Sequence, residues 1–110
     1  MRSIKINNIR EKLKKNQVSI GTWQQIPHSS ISEILGKSGY DWIVIDLEHG
    51  SIAINQLPDL FRSIEIGGAL PLVRISQADP KDCKQALDAG AGGIIAPMIN
   101  SADLLKSIRN

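Results

Sequence analysis

The stretch Trp42-Ile43-Val44-Ile45-Asp46-Leu47-Glu48-His49-Gly50 decides the fold. Four apolar residues run straight into two acids, a histidine and a glycine. An apolar run rich in β-branched residues reads as a buried strand of the parallel type. Unpaired buried charge is expensive, so the polar end of the run is expected to emerge at the strand's C-terminal end, where α/β folds build their sites. Asp46 and Glu48 share the strand's period of two, which predicts both carboxylates on one side. His49 then opens the loop above them. Such a cluster suits acid/base or metal-associated chemistry.

Outward from this strand, the chain alternates between two periodicities. Before it, Ser30-Ile31-Ser32-Glu33 reads as a capping box that opens a helix with Ile31, Ile34 and Leu35 as its apolar stripe, and Gly39 as a left-handed cap. Earlier still, Val18 to Trp23 is a strand, in which Gly21 needs another backbone or a ligand close by. Residues 24–29 read as polar loop. Residues 8–15 read as an amphipathic helix capped by Asn8, with Ile9 and Leu13 inward and Lys12, Lys14 and Lys15 outward. After the central strand, residues 56–66 form a helix with the stripe Leu57, Leu60, Phe61 and Ile64. Pro58 in its first turn puts the cap near Asn55, and Gly67-Gly68 ends it. Residues 70–76 are the third strand. Asp79-Pro80 starts a helix with Cys83, Ala86 and Leu87 buried, and Gly90 closes it. Residues 92–99 are the fourth strand, and Ser101 caps a last helix carrying Leu104, Leu105 and Ile108. Strand–helix four times, after a leading helix, predicts right-handed βα units and a parallel sheet. The sheet is either a small open one or the first half of an eight-stranded barrel, with residues 1–110 as one domain.

Composition narrows the function classes. With 110 residues, 42% apolar and 22% charged, the chain suits one small globular domain and is short for a whole barrel. A net charge of +2 gives no reason to expect nucleic acid or an anionic membrane as partner. The single cysteine, Cys83, rules out an intrachain disulfide framework and suits a reducing compartment. No secretory signal pattern or stretch of membrane-spanning length is present, so a cytoplasmic location is expected.

The polar residues gather by topology. Trp23 and Gln24 end the first strand, Asp46, Glu48 and His49 the second, Arg74 and Ser76 the third, Pro97 and Met98 the fourth. All fall at the end of a parallel sheet that carries barrel active sites. Each has a plainer reading. Asp46 serves equally as a strand terminator, Glu48 as a solvated side chain, His49 as a turn residue and Trp23 as core or pocket wall. Arg74, inside Pro-Leu-Val-Arg-Ile, requires an anionic partner, and a structural ion pair with Asp46 or Glu48 would supply it. Cys83 reads as a small apolar helix residue and His28 as surface. Glu48 and His49, being adjacent, are poorly placed to ligate one metal ion. Gly90-Ala91-Gly92-Gly93 precedes a strand, whereas a phosphate loop follows one. No nucleophile elbow is present.

Taken together, Gly21-Thr22-Trp23, Asp46-Leu47-Glu48-His49-Gly50, Pro71-Leu72-Val73-Arg74 and Ala96-Pro97-Met98 resemble the opening half of the metal-dependent class II pyruvate aldolases of the HpcH/HpaI and citrate lyase β type. The resemblance covers residues 17–110. It implies a (β/α)₈ barrel, usually oligomeric, that cleaves 4-hydroxy-2-oxo acids to pyruvate or a relative plus an aldehyde. It implies a divalent metal, Mg²⁺ or Mn²⁺ or similar, that holds the 2-oxo acid. By this resemblance His49, oriented by Asp46, handles the proton of the 4-hydroxyl, through water. Arg74 faces the keto oxygen and binds substrate together with Trp23, and Glu48 hydrogen-bonds metal-bound water. The family's two metal-ligating carboxylates lie on strands five and six, past Asn110, so no metal ligand is assigned in this chain. The chain is therefore expected to be an N-terminal half, inactive by itself and completed by a C-terminal half or by self-assembly. A non-catalytic half-barrel that binds a small acid or assembles with other chains is the alternative.

Overall fold

A computed structural model describes residues 2–77 and 79–96 of the chain. The elements run α1 (Arg2–Lys14), β1 (Gly21–Gln24), α2 (Ser29–Gly36), β2 (Trp42–Asp46), α3 (Leu57–Gly67), β3 (Leu70–Arg74), α4 (Pro80–Asp88) and β4 (Ile94–Ile95), with a short 3₁₀ turn at Ile54–Gln56. The strands lie in the order β1-β2-β3-β4, and every pair is parallel. The expected outer ends of the fourth strand, Pro97 and Met98, and the helix after Ser101 with Leu104, Leu105 and Ile108 lie outside the described residues.

Register divides the sheet into two faces. Trp42 pairs with Gly21 and Leu70, Val44 with Trp23 and Leu72, and Asp46 with Arg74. Because side chains alternate along a strand, these residues share one face and Ile43, Ile45, Pro71 and Val73 share the other. The second face is the core side. There Ile43, Ile45, Val73 and Ile75 meet Leu57, Leu60, Phe61 and Ile64 of α3 and Cys83 and Ala86 of α4. Fully burying each such large side chain is worth about 1.5–3 kcal/mol, so this layer fixes the sheet against its helices. On the opposite face, the Trp42 indole lies across Gly21, where an added Cβ would fall within 1.9 Å of the ring. This is the close approach that Gly21 in a strand implies.

Several local expectations are corrected. The first helix starts at Arg2, so Asn8 sits mid-helix and caps nothing. It buries no residue, and Leu13 is exposed. Side-chain ties hold it instead: Arg2 to Glu65 and to the Gly90 carbonyl, and Lys5 and Lys12 to the buried Asp41. Lys12 thus faces the protein rather than solvent. The cap of α2 is His28, whose Nδ1 accepts the Ser30 N–H at 3.1 Å, and not Ser30. Ile34 is exposed, while Ser32 and Gly36 take the buried positions. The reason is a close crossing of α2 and α3: a Cβ on Gly36 would stand 2.6 Å from the Ile64 carbonyl oxygen, and one on Gly67 2.5 Å from the Gly36 carbonyl carbon. Gly67 is therefore a packing residue, and Gly68 alone is the left-handed cap of α3. At the other end of α3, Gln56 rather than Asn55 is the cap residue, because the 3₁₀ turn occupies 54–56. Asp79 caps α4 as expected, accepting the Lys81 N–H at 2.8 Å, but Leu87 is exposed. Val18 and Ile20 are exposed and precede β1. Among the described residues, no helix is long and apolar enough to cross a membrane.

Candidate active site

The C-terminal ends of β2 and β3 bring Asp46 and Arg74 into direct register. Asp46 does not leave the interior: it is 0% exposed, whereas Glu48 and His49 beyond it are exposed. Its charge is tolerated because it is paired and fully hydrogen-bonded. Oδ1 accepts the Arg74 Nε–H at 3.1 Å and the backbone N–H groups of Glu48 and His49, each at 3.0 Å. Oδ2 accepts from Arg74 Nη2 at 2.6 Å and from the Gln25 amide at 3.1 Å. Burial by itself would raise the Asp46 pKa. The Arg74 guanidinium, the His49 N–H and the Gln25 amide more than offset it and hold the carboxyl at about 2. The strand ends at Asp46, so the shared side of Asp46 and Glu48 arises from the turn that Asp46 itself organises, not from strand alternation.

Arg74 is the hub. Besides Asp46, its Nε lies 3.4 Å from Glu48 Oε2, and its guanidinium carbon stands 4.5 Å from the centre of the Trp23 ring. Hydrogen bonding to Asp46 raises its already high pKa, so it is a permanent cation. Its Nη2 also lies 2.7 Å from His49 Nδ1. A guanidinium only donates, so Nδ1 is the acceptor and the neutral ring carries its proton on Nε2. Asp46 Oδ2 is farther from that ring nitrogen, at 3.9 Å. Asp46 therefore orients His49 through the backbone, while Arg74 holds the ring. Trp23 forms a wall over the guanidinium, itself 41% exposed. Both ion pairs of the plainer reading of Arg74 exist, and the same side chain also touches the histidine and the tryptophan.

The structure brings together Trp23, Asp46, Glu48, His49 and Arg74. It turns Gln24 away. Gln24 is buried, donating to the Ile26 and His28 carbonyls and accepting from Ser32 Oγ. The residue that belongs to the site is Gln25, which the sequence reading placed in a loop; the signal was its spacing of two from Trp23. Cys83 is buried in the core, and its thiol pKa is raised by burial and by the nearby Asp82 and Asp79. That argues against a nucleophile.

Among the described residues, no three His, Cys, Asp or Glu side chains converge so as to hold an ion. A carboxylate offers about four lone-pair sites, and Asp46 already accepts five hydrogen bonds. The described residues do not fit a metal site.

Parallel strands alternating with helices, and polar groups gathered at the strands' C-terminal ends, define a protein of the (β/α)-barrel class. A sequence model of the HpcH/HpaI aldolase/citrate lyase family matches residues 19–110, and the chain belongs to that family. It is 40% identical over 96 residues to a hydroxypyruvate/pyruvate aldolase of Rhizorhabdus wittichii, covering 87% of this chain and 38% of that protein. It is 32% identical over 108 residues to a 2-keto-3-deoxy-L-rhamnonate aldolase of Escherichia coli, covering 98% of this chain and 40% of that one. Among solved structures, an HpcH/HpaI aldolase/citrate lyase family protein from Burkholderia cenocepacia superposes with a TM-score of 0.78 at 28% identity, over 98% of this chain and 41% of that chain. The fold is accordingly the opening strands of an aldolase-type (β/α)₈ barrel. The chain spans about two fifths of the length of the curated relatives it matches.

Proposed function

We propose that the protein acts in retro-aldol cleavage of 4-hydroxy-2-oxo acids, releasing pyruvate or a relative and an aldehyde. Family membership and the aldolase names of the relatives support this. The observation that carries it is the placement of one guanidinium, that of Arg74, against a buried carboxylate, a histidine and an aromatic wall. Asp46 fixes Arg74 from behind, leaving the arginine's exposed side to meet a keto oxygen and offset developing enolate charge. Trp23 bounds the substrate on that side.

Substrate binding would draw Nη2 away from His49, freeing the Nδ1 lone pair to take the 4-hydroxyl proton, directly or through one water. As that proton leaves, C4 becomes the aldehyde carbonyl, the bond between C3 and C4 breaks, and its electron pair enters the enolate. Protonation at C3 then yields pyruvate. The divalent metal that comes with the resemblance, Mg²⁺ or Mn²⁺, would act as a Lewis acid on the 2-oxo acid, with ligands other than the described residues. Glu48, on the rim, would hydrogen-bond its water.

The inner sheet face, with Trp23 exposed and Trp42 and Leu72 half-buried, suits cover by further strands or a second chain. A cytoplasmic location remains part of the proposal. Incubating a barrel in which this chain is completed by a C-terminal half with Mn²⁺ and a 4-hydroxy-2-oxo acid, and coupling pyruvate release to lactate dehydrogenase, tests the reading. Release at the uncatalysed rate would sink it.

A further inference from the structure

We propose that Gln25 is a positioning residue that keeps the Nδ1 of His49 free of a proton. A histidine beside a buried aspartate ordinarily donates Nδ1–H to it, which leaves the outer nitrogen as the base. Here that bond is absent although the aspartate is within reach, with Oδ2 only 3.9 Å from Nδ1. The cause is saturation. Oδ1 accepts from two backbone N–H groups and Arg74 Nε, and Oδ2 accepts from Arg74 Nη2 and Gln25. These five donors fill the roughly four lone-pair sites of a carboxylate. Four of the five come from Arg74 or from the turn that Asp46 itself organises. The fifth, the Gln25 amide at 3.1 Å, occupies the oxygen that faces the imidazole.

Gln25 is held in place for this. Gly50, which closes the turn after His49, adopts a φ of 109°, and a Cβ there would stand 3.1 Å from the Gln25 carbonyl oxygen and 3.2 Å from its Cβ. The loop after β1 and the turn after β2 are thus in contact, and the Gln25 side chain reaches Asp46 from that contact. With Oδ2 taken, Nδ1 turns to the second hydrogen of Arg74 Nη2 at 2.7 Å. The base nitrogen is therefore the one that Arg74 covers and a substrate's keto oxygen would uncover. That consequence for turnover rests on the aldolase reading; the tautomer does not.

The test is nitrogen NMR of the full chain labelled with ¹⁵N-histidine, at about pH 8.5, where an ordinary imidazole is neutral. The chain has two histidines, and His28, whose Nδ1 accepts the Ser30 N–H, is an internal reference for the Nε2–H form. In the parent, His49 should show the same form. In Gln25→Leu, of similar size without a donor, and in Gln25→Asn, too short to reach, His49 should move to the Nδ1–H form while His28 stays unchanged. Where the parent turns over substrate, kcat should fall with the tautomer by up to about 10²-fold. A parent His49 in the Nδ1–H form, or an unchanged tautomer in both variants, would overturn the proposal. A tautomer switch in a parent that cleaves no aldol even when completed by a C-terminal half would uphold the Gln25 role and remove the aldolase reading instead.

Discussion

Arg74 grips both oxygens of Asp46 from the neighbouring strand, Nε on Oδ1 at 3.1 Å and Nη2 on Oδ2 at 2.6 Å. The two residues are register partners, so the fork is aimed by the sheet itself. An ammonium is a point charge and cannot span two oxygens and a histidine together. Arg74→Lys should therefore cut aldol cleavage by about 10²-fold or more while leaving the chain folded. Steady-state kinetics with a circular dichroism check would decide it. A lysine variant working near the parental rate would reduce Arg74 to a structural partner of Asp46.

In a barrel completed by a C-terminal half, His49→Ala should separate two half-reactions. Arg74 serves the enolate, whereas His49 serves the aldol hydroxyl. Removing one acid/base group typically costs about 10²–10⁴ in rate. Aldol cleavage should fall by that amount, and solvent exchange of the pyruvate methyl protons should fall much less. Following both reactions on one preparation is the measurement, and equal losses would contradict the division of labour.

What was legible in the sequence was whatever a single segment decides. The run Trp42–Asp46 reads as a buried strand and Asp79-Pro80 as a helix start, and the fold has both. The candidate site was legible for the same reason, because Asp46, Glu48 and His49 are neighbours in sequence and Arg74 is out of place in an apolar strand. What two distant segments decide together was not. Gln25 gains its meaning from Asp46, Lys12 from Asp41, and His28 displaces Ser30 as cap through a ring nitrogen that cap preferences do not rank. The Gly36–Gly67 crossing likewise belongs to no local pattern, since Gly67 alone reads as a helix end and Gly36 carries no signal of its own.

That crossing makes a stability prediction. Alanine favours a helix over glycine by about 1 kcal/mol, so Gly36→Ala would stabilise an isolated α2. In the fold, its Cβ would stand 2.6 Å from the Ile64 carbonyl oxygen and 3.1 Å from the Ile64 Cα. A backbone obstacle cannot be relieved by a rotamer change, and overpacking typically costs about 1–3 kcal/mol. The clash should win, with a net loss of stability in urea unfolding. A more stable Gly36→Ala would mean that α2 and α3 do not cross at these glycines.

Asp46 should also make the fold sensitive to acid. Its carboxyl is held at about 2, below the ordinary value near 3.9 that it regains on unfolding. A depressed native pKa means that the folded state releases this proton more readily than the unfolded chain. The resulting stabilisation is complete above about pH 5 and is lost as the pH falls through 4 toward 2. The full shift corresponds to about 2–3 kcal/mol, most of which is lost by about pH 2.5. Asp41, lowered by Lys12 and Ser19 against the opposing effect of burial, contributes in the same direction, so the parent's acid sensitivity alone would not isolate Asp46. Asp46→Asn does so, because the Asp41 contribution is common to both chains and cancels in the difference. Urea unfolding at about pH 6, 4 and 2.5 should show the stability gap between parent and Asp46→Asn shrinking by about 2 kcal/mol as the pH falls. A gap that stays constant over that range would mean that Asp46 titrates alike in the folded and unfolded chain, and that the Arg74 and Gln25 bonds do not hold its charge in solution.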